Sequence, residues 1–330
     1  MTKFKSERII YFDAVKFLAV WMVCIGHSYY LVDLVQPSKL YQWIYSFHMP
    51  LFMFLCGYFS SHSYKKPFKE FLKQKSIQLI VPAISISLIT ILVCVIIGSP
   101  NIKIIAKSEI IGGMWFLRTL FLCSIYSYVI KRLCSNDILA AIGSILVGLF
   151  FPHGYFLQFN WMLIIFWAGY FFKAYYKFYE KYLSIFTISS LIIFIFFCEH
   201  KVPQVLTYDV LLITPNILPR QLLTGLSGTL SIIGCTYYFC MLLGNNNIII
   251  QKIANIGKYT LGIYGLQSII LQRLFVHYLR INLGFLPEWI SDFVIVPTIA
   301  IITLLICYFL ILYTKKNKIL NIFMYGNQYK

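Results

Sequence analysis

Apolar residues along this chain come in long unbroken runs, not in the short alternating or one-sided patterns of water-facing strands and helices. A helix that crosses a bilayer needs about 20 largely apolar residues. With polar residues as bounds, ten such runs emerge, at roughly 9–32, 42–60, 76–98, 114–131, 138–152, 156–173, 183–198, 220–243, 259–278 and 290–313. The fifth and sixth are short and meet at a tight connection, FPHGYF. The pattern predicts an all-α integral membrane protein of about ten transmembrane helices, a single domain over residues 1–330 with no soluble appendage. The longest polar connection, 199–219, carries three prolines and reads as an outer lid, a re-entrant segment or a plain surface loop.

Composition agrees: 60% of residues are hydrophobic, only 12% are charged, and the mean hydropathy is +0.78, far from a soluble domain, where about a quarter are charged. The formal net charge of +17 brings nucleic acid to mind, but the basic residues sit in short clusters between apolar runs and no nucleic-acid-binding module is present. Membrane orientation accounts for them. With the N-terminus inside, about 19 Lys and Arg fall in cytoplasmic segments and about seven outside, as the positive-inside rule requires. Both termini are therefore expected in the cytoplasm. The basic N-terminus leads into an apolar run too long for a signal-peptide core, which predicts a retained first span. Nine scattered cysteines without a CxxC pair, and no histidine at ligand spacing, point to neither a disulfide framework nor a metal site.

A few ionisable residues interrupt the spans, where unpartnered charge is costly, and each is a functional candidate. Asp13 and Lys16 are three residues apart on one face of the first helix and are expected to pair. His27 follows Lys16 by eleven residues, within about 20° of the same direction and roughly 16 Å further along. Their shared stripe must face protein or water, and is expected to form a polar track leading to the imidazole. His48 in the second run and Arg118 in the fourth lie at a depth similar to that of His27. Imidazole suits proton transfer near neutral pH and can act as a nucleophile; an arginine beside it can bind a sugar oxygen or steady an oxyanion. The set fits acyl transfer to a hydroxyl, with His27, His48 and Arg118 as the catalytic candidates. At the opposite face, SYKKPFKEFLKQK (Ser63 to Lys75) is basic. Positive-inside topology alone would produce it, but Lys73 and Lys75, with Lys16 and Asp13 behind them, also suit a phosphorylated donor such as a coenzyme A thioester. The roughly 16 Å from Lys16 to His27 matches the reach of an extended pantetheine arm.

FDAVKFLAVWMVCIGH resembles the opening helix of acyltransferase family 3, with Lys16 and His27 as its Arg/Lys, ten residues, His motif. MPLFMFLCGYF resembles the second-helix motif, MWFLRTLF the tryptophan-phenylalanine-leucine motif, and YTLGIYGLQSII the penultimate helix. The resemblance implies ten membrane helices, acetyl-CoA as a cytoplasmic donor, and O-acetylation of a cell-surface glycan or its lipid-linked saccharide precursor in a bacterial inner membrane. Three positions depart from the family pattern. Lys75 and Gln78 stand where an arginine pair is usual, Cys56 stands for a serine, and Gln267 stands where relatives often carry histidine, so no proton transfer is assigned to it. A polysaccharide or small-solute transporter is the rival reading, although no inverted repeat is evident; a silent, ligand-sensing relative is a third.

Overall fold

The computed structural model describes residues 10–32, 38–149, 158–198, 206–244, 246–279, 281–283 and 286–329. Over these the chain is helical, and the single isolated bridge, Val32 to Ile281, belongs to no strand among the described residues. In chain order the helices are α1 (Ile10–Ser28), α2 (Lys39–Tyr58), α3 (Phe68–Ile96), α4 (Ile102–Gly112), α5 (Trp115–Leu133), α6 (Asp137–Leu149), α7 (Phe159–Ala174) and α8 (Tyr176–Lys181). They continue with α9 (Leu183–Phe197), α10 (Tyr208–Ile213), α11 (Ile217–Leu243), α12 (Ile248–Ile256), α13 (Thr260–Ile269, prolonged by a π turn at Ile270–Phe275 and by Val276–Tyr278), α14 (Glu288–Thr314) and α15 (Lys318–Tyr325).

Each of the ten apolar runs is occupied by a helix. Among the described residues, five helical stretches are long and apolar enough to cross a membrane: Ile10–Leu31, Phe68–Ile96, Ile102–Leu133, Ile217–Leu243 and Glu288–Thr314. Helices α6 and α9 are shorter and apolar. Leu92, Ile142, Phe196 and Phe309 stand exposed on the outer faces of α3, α6, α9 and α14, surfaces that lipid solvates and water does not. The chain is a multi-pass membrane protein.

The structure departs from the hydropathy pattern at two places that matter for the site. Helix α3 starts at Phe68, inside the basic segment, because Lys, Glu, Gln and Leu are good helix formers whatever their charge and Pro67 precedes the first turn. The connection before the fourth run is not a loop: it holds α4, whose lysines and glutamate interrupt hydropathy but not helicity. Helix α4 packs on α3.

Close backbone approach sets the position of α2, which packs on α7, α11 and α1. A Cβ on Gly57 would lie 1.9 Å from the carbonyl oxygen of Phe166, and one on Gly169 would lie 1.9 Å from that of Phe54. This reciprocal glycine contact lets the two backbones touch, the device by which membrane helices gain packing energy without a hydrophobic driving force. At one end of the bundle Gly257 lies against the backbone of Asp13 and Gly326 against that of Gln78, so the starts of α1, α3 and α13 gather there with the C-terminal helix. In the 199–219 connection, Leu206 is fully buried and its carbonyl accepts a hydrogen bond from Asn160 Nδ2 at 2.8 Å, anchoring that part of the segment to α7. Lys3, Lys5, Arg8, the FPHGYF connection and residues 199–205 lie outside the described residues.

Candidate active site

A cavity of about 350 Å³ opens between α1, α2, α3, α4, α13 and the starts of α5 and α7. His27 and His48 both line it, so α1 and α2 bring the two imidazoles to one space, as their equal depth predicted. Tyr45 fits between their helices because residue 26 is glycine: a Cβ there would sit 2.7 Å from the tyrosine ring. The Tyr45 and His48 rings meet edge to face at 4.9 Å. Trp115, Trp161 and Tyr264 add flat apolar wall, and Ser108, Glu109, Ser268 and Gln272 add polar groups. Two of the lining residues, Met114 and Gln158, hold left-handed backbone at the starts of α5 and α7 (φ 52° and 46°). Non-glycine residues carry such strain mostly where surrounding structure enforces it.

Hydrogen bonds hold both imidazoles by their Nδ1 atoms. The side-chain amide of Gln267, which is fully buried, donates to the carbonyl of Tyr264 at 3.0 Å, and this turns its Oε1 toward His27 Nδ1 at 2.7 Å. An amide oxygen only accepts, so Gln267 favours the tautomer with the hydrogen on Nδ1 and the lone pair on Nε2. Gln272 Nε2, a donor, lies 2.9 Å from the same nitrogen and calls for the opposite tautomer, so the two glutamines compete for Nδ1. In a regular α-helix, residues five apart diverge by about 140°; the widened π turn at Ile270–Phe275 brings Gln267 and Gln272 to the same ring. His48 is held the same way, with Nδ1 2.7 Å from the carbonyl oxygen of Ile44, so its Nε2 is also a free acceptor.

Arg118 is not on the cavity wall. Its guanidinium donates to the carbonyls of Ile110 (2.6 Å), Ile111 (3.0 Å) and Glu109 (3.4 Å) at the C-terminal end of α4, where helix carbonyls run short of intrahelical donors. It thereby pins the helix that carries Ser108 and Glu109 to the cavity. Glu109 in turn pairs with Arg273 at 2.7 Å.

The donor-side candidates gather around Cys56. Lys16 Nζ lies 3.2 Å from Asp13 Oδ1, the pair expected from their spacing, and 4.7 Å from the centre of the Phe59 ring. Lys16 from α1 and Lys75 from α3 both act electrostatically on the Cys56 thiol of α2. Lys73, two residues from Lys75 on a helix, is exposed on another face and does not join them. Between the two ends the expected polar track is closed: Val20 and Val23 on α1 are buried, and the cavity reaches down α1 only to Val23. Aliphatic packing fills the stripe because neighbouring helices close over it.

Sequence reasoning passed over Glu109, Arg273, Gln272 and the part played by Gln267. Arg273 sits inside the ninth run about as deep as Arg118 in the fourth, so the depth argument that selected Arg118 applies equally to it. Glu109 carried no such signal, since α4 did not read as an element. The role of Gln267 depends on a contact across 240 residues of chain.

The fold is a polytopic helical bundle whose interior presents two imidazoles to one cavity. The family profile of acyltransferase 3, described as an acyltransferase domain, matches residues 9–312. The chain belongs to acyltransferase family 3. It is also similar to the nodulation protein NolL of Mesorhizobium japonicum, at 30% identity over 142 residues, which are 40% of this chain and 37% of that protein. No solved structure matches the chain.

Proposed function

We propose that the protein is an O-acetyltransferase of a bacterial cytoplasmic membrane, taking acetyl from cytoplasmic acetyl-CoA and placing it on a hydroxyl of a cell-surface glycan or its lipid-linked precursor. One observation carries the reading: His27, held through Nδ1 by Gln267, stands on the wall of a cavity it shares with His48 and several aromatic rings. In this reaction the acceptor oxygen forms a bond to the thioester carbonyl carbon while His27 Nε2 takes its proton. The carbon–sulfur bond then breaks and the thiolate leaves with that proton. His48 serves as a second acceptor for a substrate hydroxyl, and the flat faces of Trp115, Trp161 and Tyr264 suit a sugar ring. Arg118 positions α4. Lys16, Lys75 and Asp13 form the contact with the donor at the other end of the bundle, and Lys73 lies at its solvent edge. The closed stripe between Lys16 and Val23 then has to part for the pantetheine arm. Of the transporter reading, nothing in the cavity favours it over catalysis.

The test is turnover of acetyl-CoA with a lipid-linked glycan by the purified protein. Removing a general base costs about 10²–10⁴-fold, so His27→Ala is expected to lose at least that while keeping the melting temperature of the parent. Undiminished turnover in that variant would dispose of the reading.

A further inference from the structure

Two recesses meet where α3 begins and α5 ends. The first, of about 390 Å³, is lined by Tyr64, Lys65, Tyr128, Lys131, Arg132 and Tyr170, with Ser61 at its edge. The second, a groove of about 420 Å³, is lined by Pro67, Phe68, Val129 and Leu133, and shares Tyr128 and Arg132 with the first. A cationic chamber thus continues into an apolar groove. Tyr128 forms the ridge between them, buried and fixed by stacking on Phe71 at 4.3 Å and by donating to the Lys66 carbonyl at 2.7 Å.

The charges in the chamber are unequally spent. Lys131 is neutralised by Asp137 at 3.1 Å, and Lys66 nearby by Glu70 at 3.1 Å. Arg132 donates to the carbonyls of Lys66 at 3.1 Å and Tyr64 at 3.5 Å, which hold it in place without cancelling its charge. Among the described residues neither Arg132 nor Lys65 meets a carboxylate. The groove beside them is open to the outside of the bundle: Leu133 is 79% exposed, and Phe68 and Val129 are exposed as well. Two of the stretches able to cross a membrane, Phe68–Ile96 and Ile102–Leu133, have their ends here. The two recesses therefore lie at one end of both stretches, the level at which a spanning helix meets the headgroups.

We propose that these joined recesses bind an anionic phospholipid, its phosphate against Arg132 and Lys65 and one acyl chain along Phe68, Val129 and Leu133. A soluble phosphate would leave the groove empty, and a zwitterionic lipid would bring its own ammonium toward the two cations along with its phosphate. The site is independent of the acyl-transfer reading, because it borders neither the histidine cavity nor Cys56.

The experiment uses the delipidated full-length protein in detergent, measuring bound lipid by native mass spectrometry and the melting temperature. The probes are phosphatidylglycerol, phosphatidylcholine with the same chains, inorganic phosphate and coenzyme A. Phosphatidylglycerol is expected to bind at least ten-fold more tightly than phosphatidylcholine and to raise the melting temperature, with both effects weakened by salt. Lys65→Gln, at an exposed position, should weaken phosphatidylglycerol several-fold, and Arg132→Gln further. Leu133→Ser should weaken the lipid and leave any response to inorganic phosphate unchanged. Equal binding of the two lipids, or phosphatidylglycerol binding untouched by Lys65→Gln and Leu133→Ser, overturns the proposal. Inorganic phosphate matching the lipid's effect overturns it in favour of a plain anion site, and displacement of the lipid by coenzyme A at equal concentration overturns it in favour of a nucleotide site.

Discussion

At the scale of single residues, the chemistry rests on which nitrogen of His27 holds the hydrogen. Gln267 favours Nδ1 through two hydrogen bonds, one to its own helix and one to the ring, against the Gln272 donor at the same nitrogen. Replacing it by leucine removes the acceptor, frees the ring to rotate and exchange tautomers, and leaves the Tyr264 carbonyl without its donor. Gln267→Leu is expected to lower kcat by about 10–100-fold, within the range of a misplaced general base, with a smaller change in KM; Gln267→Glu, which keeps an oxygen toward Nδ1, should recover most of the loss. A KM effect without a kcat effect would show that Gln267 acts on substrate binding instead. The sequence pointed to His27 and His48 because ionisable groups inside apolar runs stand out on their own. It assigned no role to Gln267, since a buried amide is meaningful only beside the ring it faces.

At the scale of elements, two junctions are open to test. The reciprocal contact of Gly57 with Phe166 and of Gly169 with Phe54 fixes the spacing of α2 and α7, and a methyl group at either position meets backbone that has no rotamer to yield. Gly57→Ala is expected to destabilise by about 3 kcal/mol, the upper end of overpacking costs, read as a fall in melting temperature in detergent; an unchanged transition would mean the helices part without cost. The second junction is Asp137 at the start of α6, which accepts from Tyr170 at 2.6 Å and pairs with Lys131. Burial raises its carboxyl, but the Tyr170 and Lys131 hydrogen bonds and the Lys131 charge outweigh burial and hold it below the ordinary carboxylate value. Its contribution is therefore complete above the ordinary range of about pH 4 and fades as pH falls through the lower folded value. Wild type should lose more melting temperature than Asp137→Asn between pH 5 and the acid range, and parallel profiles would remove Asp137 from the account. Hydropathy alone found every helix of these junctions, yet it missed α4 and the early start of α3, because charged helix formers end an apolar run without ending a helix.

At the scale of the whole molecule, the bundle has two chemically different ends. Asp13, Lys16, Lys75 and the C-terminal helix gather at one, and the histidine cavity lies toward the other. The positive-inside rule predicts that the first end faces the cytoplasm. A cysteine introduced at Lys107 should then react with a membrane-impermeant maleimide in intact cells, and one at Lys177 only after permeabilisation. The reverse pattern would invert the direction of acyl transfer.

The sequence by itself determined the solvent of this protein and the residues too costly to place in that solvent without purpose, since both follow from free energies of transfer that act residue by residue. It also carried the family, through motifs that are local in the chain. Only the tertiary structure decided that the two imidazoles share a cavity, that Arg118 secures a helix end and does not reach the cavity, and that buried valines close the stripe between Lys16 and His27. These depend on the rotation and spacing of helices far apart in the chain, which packing and side-chain hydrogen bonds set and hydropathy does not encode.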